Sequence, residues 1–314
     1  MKYAIFGAGG VGGFFGGQLA LAGQDVWFLA RGEHLAAMQR HGLRIHSPEG
    51  TSVIPTGKMT DNPETIGPCD TILFCVKSYD TEEAAQQMAP LLNDQSVVIS
   101  LQNGIDNEQK IKQIIPFASV LGGVAYIYSH ISAPGQITES GGPRKMVVGP
   151  LPDLEQTAFE RGAEILNHLS MAGIDIEWQN DIRPVLWKKF IFIASVSGLT
   201  ALSRLTLAEI LAVNETRRLL ADAMGEVHAI AAGLRIPIEP DHVASVLTRL
   251  RQFRNETRSS LYYDLIQGKP MELEALSGSV VRCGKTLGVP TPVHSMIYAA
   301  LLPYAVRFAR VQRR

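Results

Sequence analysis

Lys188 and Lys189 stand side by side in a stretch, residues 183–193 (RPVLWKKFIFI), that is apolar almost all round. A helix of that kind is buried. An ammonium is costly to desolvate and rarely enters such a place. Held over an apolar face, a lysine has its charged form disfavoured and becomes an easier proton donor near neutral pH. At about 100° per residue, Lys189 shares a face with Ile193, Val196 and Thr200, and Lys188 shares one with Phe192 and Ser195. A lysine snorkelling at a helix start gives the same pattern. Periodicity alone does not separate the two.

Other polar residues stand where ligands are met, each with a plainer account beside it. Residues 268–274 (GKPMELE) read as a helix start, so Glu272 is either a dipole-stabilising acid of a first turn or a chemical group. Asn103 follows a buried strand and precedes Gly104; Lys77 ends another strand. Both places suit ligand contact, and both also suit ordinary turn residues. Ser259 and Ser260 interrupt a helical segment and carry no weight unaided.

The N-terminus says more. A short apolar run leads into Gly7-Ala8-Gly9-Gly10-Val11-Gly12, then a Gly- and Ala-rich helical pattern, then a second apolar run that closes at Arg31. This strand–turn–helix–strand layout is what a dinucleotide site requires. Gly7 permits the tight turn, Gly9 lets the backbone approach a diphosphate, and Gly12 lets the helix sit close on the sheet. The helix N-terminus then offers N–H groups and partial positive charge to the phosphates. An NAD site places a carboxylate at the end of the second strand, and an NADP site needs a cation there. That position is Arg31, and no acid follows until Glu33. The alternative is a surface arginine in a loop; NADP(H) is the cofactor expected.

These residues need a scaffold with two parts. Residues 71–76 (TILFCV) and 97–101 (VVISL) read as buried parallel strands, and 81–92 and 107–115 as helices. Residues 120–128, 135–140 and 145–148 read as further strands at the far side of the same sheet, 154–172 as a helix, and 174–178 as a last strand. The fold class is α/β: a Rossmann-type doubly wound parallel sheet over 1–178, followed by an all-α domain over 179–314. The second domain's helical patterns run over 182–202, 207–233, 240–254, 258–267, 270–287 and 292–311, with Gly and Pro at the breaks. A ligand is expected at the carboxyl ends of the strands, facing the helical domain.

Composition narrows the classes. Basic and acidic residues nearly cancel (29 − 30 = −1), which points away from nucleic acid and acidic membrane surfaces. The eight histidines and three cysteines show no metal-ligand spacing, so no metal is expected. The chain enters a strand at once and no apolar run is expected to reach membrane-spanning length, so a cytoplasmic protein is expected. The 207–233 pattern leaves core packing and a dimer seam open, with a homodimer favoured.

Taken together the motifs resemble the ketopantoate reductase family (2-dehydropantoate 2-reductases) along essentially the whole chain. They are GAGGVG at 7–12, Arg31, VK at 76–77, QNG at 102–104, LWKK at 186–189, SSL at 259–261 and GKPMELE at 268–274. The resemblance implies NADPH-dependent reduction of a 2-oxo acid, ketopantoate to pantoate, in pantothenate biosynthesis. It places the proton-donating lysine on Lys189 and the functional glutamate on Glu272, which bonds substrate or cofactor. It places a cofactor-and-substrate asparagine on Asn103, a cofactor lysine on Lys77 and a substrate serine on Ser260. The chain also departs from the family. Substrate-holding amides four and eight residues after the lysine are here Ile193 and Ser197, and two further asparagines are Leu207 and Thr257. Lost hydrogen bonds weaken recognition of a small hydroxylated oxo acid by about 0.5–1.5 kcal/mol each. A bulkier or more apolar 2-oxo acid is therefore one alternative, and a non-catalytic NADP(H)-binding regulator is another.

Overall fold

The first unit comprises Met1–Gln102 and Asp106–Ile182. A computed structural model describes residues 1–152, 158–250 and 258–312. The strands of this unit are β1 (Lys2–Phe6), β2 (Asp25–Leu29), β3 (Leu43–Ser47), β4 (Gly50–Ile54), β5 (Met59–Thr60), β6 (Thr71–Phe74), β7 (Val97–Ser100), β8 (Ser119–Tyr126), β9 (Ser129–Ala133), β10 (Gln136–Glu139), β11 (Lys145–Gly149) and β12 (Asp175–Trp178). Its helices are α1 (Gly10–Leu21), α2 (Gly32–His41), α3 (Thr81–Gln87), α4 (Asn107–Ile114) and α5 (Ala158–Met171).

Eight strands form one sheet in the order β12-β11-β8-β7-β6-β1-β2-β5, parallel throughout except where β11 runs against β8. Strands β6 and β7 are buried at every residue. That matches a sheet covered on both faces, whose strands read as continuous apolar runs.

The sequence reading put residues 135–140 in this sheet, and the structure does not. Strand β10 belongs to a second, four-stranded sheet, β4-β3-β10-β9. Its other strands are short and half exposed: Leu43 and Ile45 of β3 point inward while Arg44 is exposed. Helix α3 is also shorter than expected and ends at Gln87, with Pro90 inside a following 3₁₀ turn.

The second sheet explains a run of glycines that one sheet does not need. A Cβ at Gly12 would strike the Gly7 carbonyl, and one at Gly16 would lie 2.5 Å from Ile5 and 2.8 Å from Phe28 of the large sheet. Cβ atoms at Gly13 and Gly17 would strike Ile137 and Ile45 of the small one. Helix α1 is thus held against both sheets at backbone distance. Gly16→Val should overpack this contact and cost about 1–3 kcal/mol, read as a lower urea midpoint at unchanged m. An unchanged midpoint would contradict this account of α1.

The second unit comprises Asn103–Ile105 and the chain from Arg183 onward, so the division falls between Ile182 and Arg183 rather than at 179. Its helices are α6 (Arg183–Ser203), α7 (Leu207–Ala212), α8 (Asn214–Gly233), α9 (His242–Leu250), α10 (Ser260–Ile266), α11 (Ser279–Leu287) and α12 (Pro292–Gln312). The single helix expected over 207–233 is broken at Val213, which is extended (φ −99°, ψ 134°). Thr206 and Glu209 form a reciprocal capping box at the start of α7. The Thr216 hydroxyl takes up the Ile210 carbonyl at its end (2.6 Å). Positions 153–157 and 251–257, where other helical patterns were expected to begin or end, lie outside the described residues.

Helix α6 corrects one more expectation. By length and composition it could cross a membrane, yet 67% of its apolar window is buried inside the protein. Phe190, Ile191, Ala194 and Ala201 are at most 1% exposed and join the core of the helical unit. It is a core helix.

Candidate active site

In the first unit the glycine-rich turn is built as its spacing requires. Gly7 has φ +99°, and a Cβ there would lie 2.8 Å from the Val76 nitrogen. The N–H groups of Gly7 and Ala8 donate to the Leu29 carbonyl at 3.2 and 2.9 Å, which ties the turn to the end of β2. Gly9 is the N-cap of α1; no side chain caps it and no acid lies in the first turn. A Cβ on Gly9 would meet no atom within 4 Å, so the approach to the helix N-terminus is open. Gly10, Val11 and Gly12 supply first-turn N–H groups that an α-helix leaves without intrahelical partners. An open face, partial positive charge and no competing carboxylate fit the diphosphate of a dinucleotide.

Arg31 caps α2 directly after β2. Its Nη2 donates to Asp80 at 2.5 Å, while the arginine side chain stays 64% exposed. Asp80 takes part of a five-donor fork, and the rest of the guanidinium is accessible to a phosphate. Lys77 is half-buried beyond β6, where its carbonyl accepts from the Asp80 N–H (2.9 Å).

Sequence reasoning gave no role to one residue here, the glutamine of the QNG motif. Gln102, 5% exposed, donates from Nε2 to the Val76 carbonyl (3.0 Å) and to the Thr81 hydroxyl (2.8 Å). Thr81 in turn donates to the Ser78 carbonyl (3.0 Å). These bonds hold the segment carrying Lys77 against the segment that continues into Asn103. The available signal was a glutamine set immediately after the apolar VVISL run. Asn103 itself is half-buried and groups with the helical unit, on whose core Ile105 packs.

In the second unit the structure separates the two lysines. Lys188 is tied to Glu239, its ammonium 2.8–2.9 Å from both carboxylate oxygens. Lys189 is half-buried, and burial pushes its pKa down to about 8 while the Glu272 carboxylate pulls the other way. Glu272 is 7% exposed, set between the buried Met271 and Leu273. It stands at a helix start, as one of its two readings had it, yet its side chain is buried rather than solvated. A π-helical turn, Glu274–Gly278, opens this segment, and Glu274 is the acid in its first turn, bonded to Arg282 at 2.6 Å. Glu272 lies just ahead of it, its carbonyl accepting from the Leu276 N–H (3.2 Å). π turns are enriched at functional sites. The result is a buried carboxylate acting on a desolvated ammonium, a pair suited to holding and releasing one proton.

The other expected substrate residues are placed unevenly. Ile193 is half-buried against the helical core, and Ser197 is 7% exposed on the same helix. Ser260 is the exposed first residue of α10. The serine bonded to α6 is instead its neighbour: Ser259 shares a hydrogen bond with the Thr200 hydroxyl (2.7 Å) and accepts from the Tyr262 N–H (3.2 Å). Leu207 is 8% exposed and belongs to the helical core, so its side chain fills space there. Thr257 lies outside the described residues.

A glycine-rich turn of the dinucleotide type on a doubly wound sheet, followed by a helical unit, is the arrangement of a class: dinucleotide-dependent oxidoreductases. The family described as "Ketopantoate reductase PanE/ApbA" matches residues 3–153, and its counterpart "Ketopantoate reductase PanE/ApbA C terminal" matches residues 181–305. The chain belongs to the ketopantoate reductase family. It is 31% identical to a 2-dehydropantoate 2-reductase of Mesorhizobium japonicum over 98% of each chain. A PanE/ApbA family ketopantoate reductase from Ralstonia eutropha shares its fold with a TM-score of 0.89 at 30% identity, over 98% of this chain and 100% of that one. D-mandelate dehydrogenase, solved with NADH and anilino(oxo)acetate, has the same fold, with a TM-score of 0.89 at 22% identity over 98% of this chain and 99% of its own. The protein is accordingly an oxidoreductase that uses a nicotinamide cofactor and acts on a small 2-oxo acid.

Proposed function

We propose that the protein reduces 2-dehydropantoate to pantoate with NADPH, and that Lys189 donates the proton. The observation that carries this reading is the lysine's setting: an ammonium on a buried helix, its pKa pushed down to about 8, with the Glu272 carboxylate acting on it. Gly7, Ala8, Gly9, Gly10, Val11 and Gly12 hold the diphosphate, with Arg31 on the 2′-phosphate and Lys77 and Asn103 on the rest of the cofactor. When bound, the reduced nicotinamide supplies a hydride to the 2-oxo carbon. Lys189 polarises the carbonyl oxygen and gives it a proton as negative charge develops there. Asn103 orients the carbonyl, and Ser260 takes a polar group of the substrate. Glu272 keeps Lys189 charged enough to act and bonds substrate or cofactor.

The reduction consumes the protonated lysine, so its rate should fall as pH rises through about 8. Glu272→Gln removes the charge that favours the ammonium, so this limb should move to lower pH. The experiment is the pH profile of kcat/KM for NADPH oxidation in the wild type and in Glu272→Gln. A limb that does not move would remove the proposed coupling of the two residues.

A second reading, a more apolar 2-oxo acid as substrate, is favoured by one observation. Ile193 stands one helical turn beyond Lys189 and offers no hydrogen bond. The buried position of Leu207 leaves Ile193 as the residue on which that reading turns.

A further inference from the structure

His34, in the first turn of α2, joins three parts of the dinucleotide unit that are distant in sequence. The Gly135 N–H, at the turn linking β9 and β10, donates to its Nδ1 at 3.1 Å. Its Nε2 lies 3.0 Å from the Ala8 carbonyl. A ring nitrogen that accepts from an N–H carries no proton, so the proton sits on Nε2 and is donated to Ala8. Burial also pushes the imidazole pKa down, against the opposing effect of the Ala8 carbonyl, the same direction as the hydrogen-bond geometry requires.

The Ala8 carbonyl belongs to the planar peptide that also carries the Gly9 N–H, and in a trans peptide the two point in opposite directions. Drawing the carbonyl towards His34 therefore aims the Gly9 N–H the other way. The Ala8 N–H is already fixed on Leu29 (2.9 Å), so His34 settles the second peptide of the turn as Leu29 settles the first. The hairpin that orients His34 is itself seated on the helices. A Cβ on Gly135 would lie 3.0 Å from Ala37 of α2, and one on Gly10 would lie 2.6 Å from the Ser129 carbonyl of β9.

We infer that His34 is a positioning residue for the cofactor: it couples the β9–β10 turn to the glycine-rich loop and sets the orientation of the Ala8–Gly9 peptide for the diphosphate. This explains what the small second sheet does besides packing on α1. The inference rests on the nicotinamide reading above.

The test is titration of the full-length wild type, His34→Leu and His34→Gln with NADPH, followed by steady-state kinetics. Leucine keeps the bulk and loses both bonds, whereas glutamine offers one acceptor and one donor. For His34→Leu, Kd and KM for NADPH should rise about tenfold, as the loss of two hydrogen bonds implies. Its kcat at saturating NADPH should change less than about threefold, because the inferred role is in binding the diphosphate and not in the chemical step. For His34→Gln, Kd should return to within about threefold of wild type. Unaltered affinity in His34→Leu, or equal weakening in His34→Gln, would overturn the role of His34. Failure of the wild type to bind either NADPH or NADH would remove the nicotinamide reading, and this inference with it.

Discussion

Lys189→Ala should lose turnover by about a hundred- to ten-thousandfold, the range that a positioned general acid contributes. Its affinity for NADPH should stay within a few-fold of wild type, because the expected diphosphate groups belong to the turn Gly7–Gly12 in the other unit. Lys188→Ala is the internal control. Lys188 pairs with Glu239 at a partly exposed site, and such pairs are worth about 0–1 kcal/mol. Its loss should leave turnover close to wild type. Equal losses in the two variants, measured as kcat under saturating substrate, would mean that α6 is merely intolerant of change at this point. Near-normal turnover in Lys189→Ala would remove the proton-donor role.

Arg31→Ala should raise KM for NADPH by about ten- to a hundredfold, since a hydrogen bond to a charged group is worth about 1.5–3 kcal/mol. KM for NADH, which has a ribose hydroxyl in place of the 2′-phosphate, should move little. The fold should survive, because the bond lost is an exposed pair with Asp80. The ratio of the two KM values is therefore the quantity to measure. A ratio unchanged by the substitution would make Arg31 a surface residue whose partner is Asp80 alone. The fold by itself does not choose between the cofactors, because a protein of the same fold is solved with NADH.

What the sequence disclosed follows the range of the forces involved. The dinucleotide turn was legible because its geometry is local: a positive φ at Gly7, a helix N-terminus at Gly10 and a strand end at Leu29 all lie within the first 31 residues. The continuous apolar strands β6 and β7 were legible because burial on both faces leaves no polar position. The small sheet was legible only at β10, and there as part of the large sheet, since its other strands are five residues long with a wet face and resemble loops. Yet it was implied by glycines the large sheet alone does not require, Gly13 and Gly17, which face Ile137 and Ile45.

The lysine pair marks a different limit. Helical periodicity places Lys188 and Lys189 on neighbouring faces but cannot say what faces them. That depends on Glu239, which lies 51 residues from Lys188, and on Glu272, farther still along the chain. Glu272 was obscured by its surroundings: proline and acids near a helix start are ordinary, and only the burial of its carboxylate, at 7% exposed, sets it apart from such an acid. Ser259 and Ser260 could not be told apart for the same reason, because which of them bonds Thr200 is decided by tertiary packing.

The central claim is that this chain transfers hydride from NADPH to 2-dehydropantoate. Its most direct test is the loss of NADPH absorbance with the purified wild-type protein, using 2-dehydropantoate beside a panel of bulkier and more apolar 2-oxo acids. The account predicts the highest kcat/KM on 2-dehydropantoate, despite isoleucine and serine at positions 193 and 197. Turnover confined to the apolar acids, with none on 2-dehydropantoate, would contradict it and make Ile193 the residue that sets the substrate.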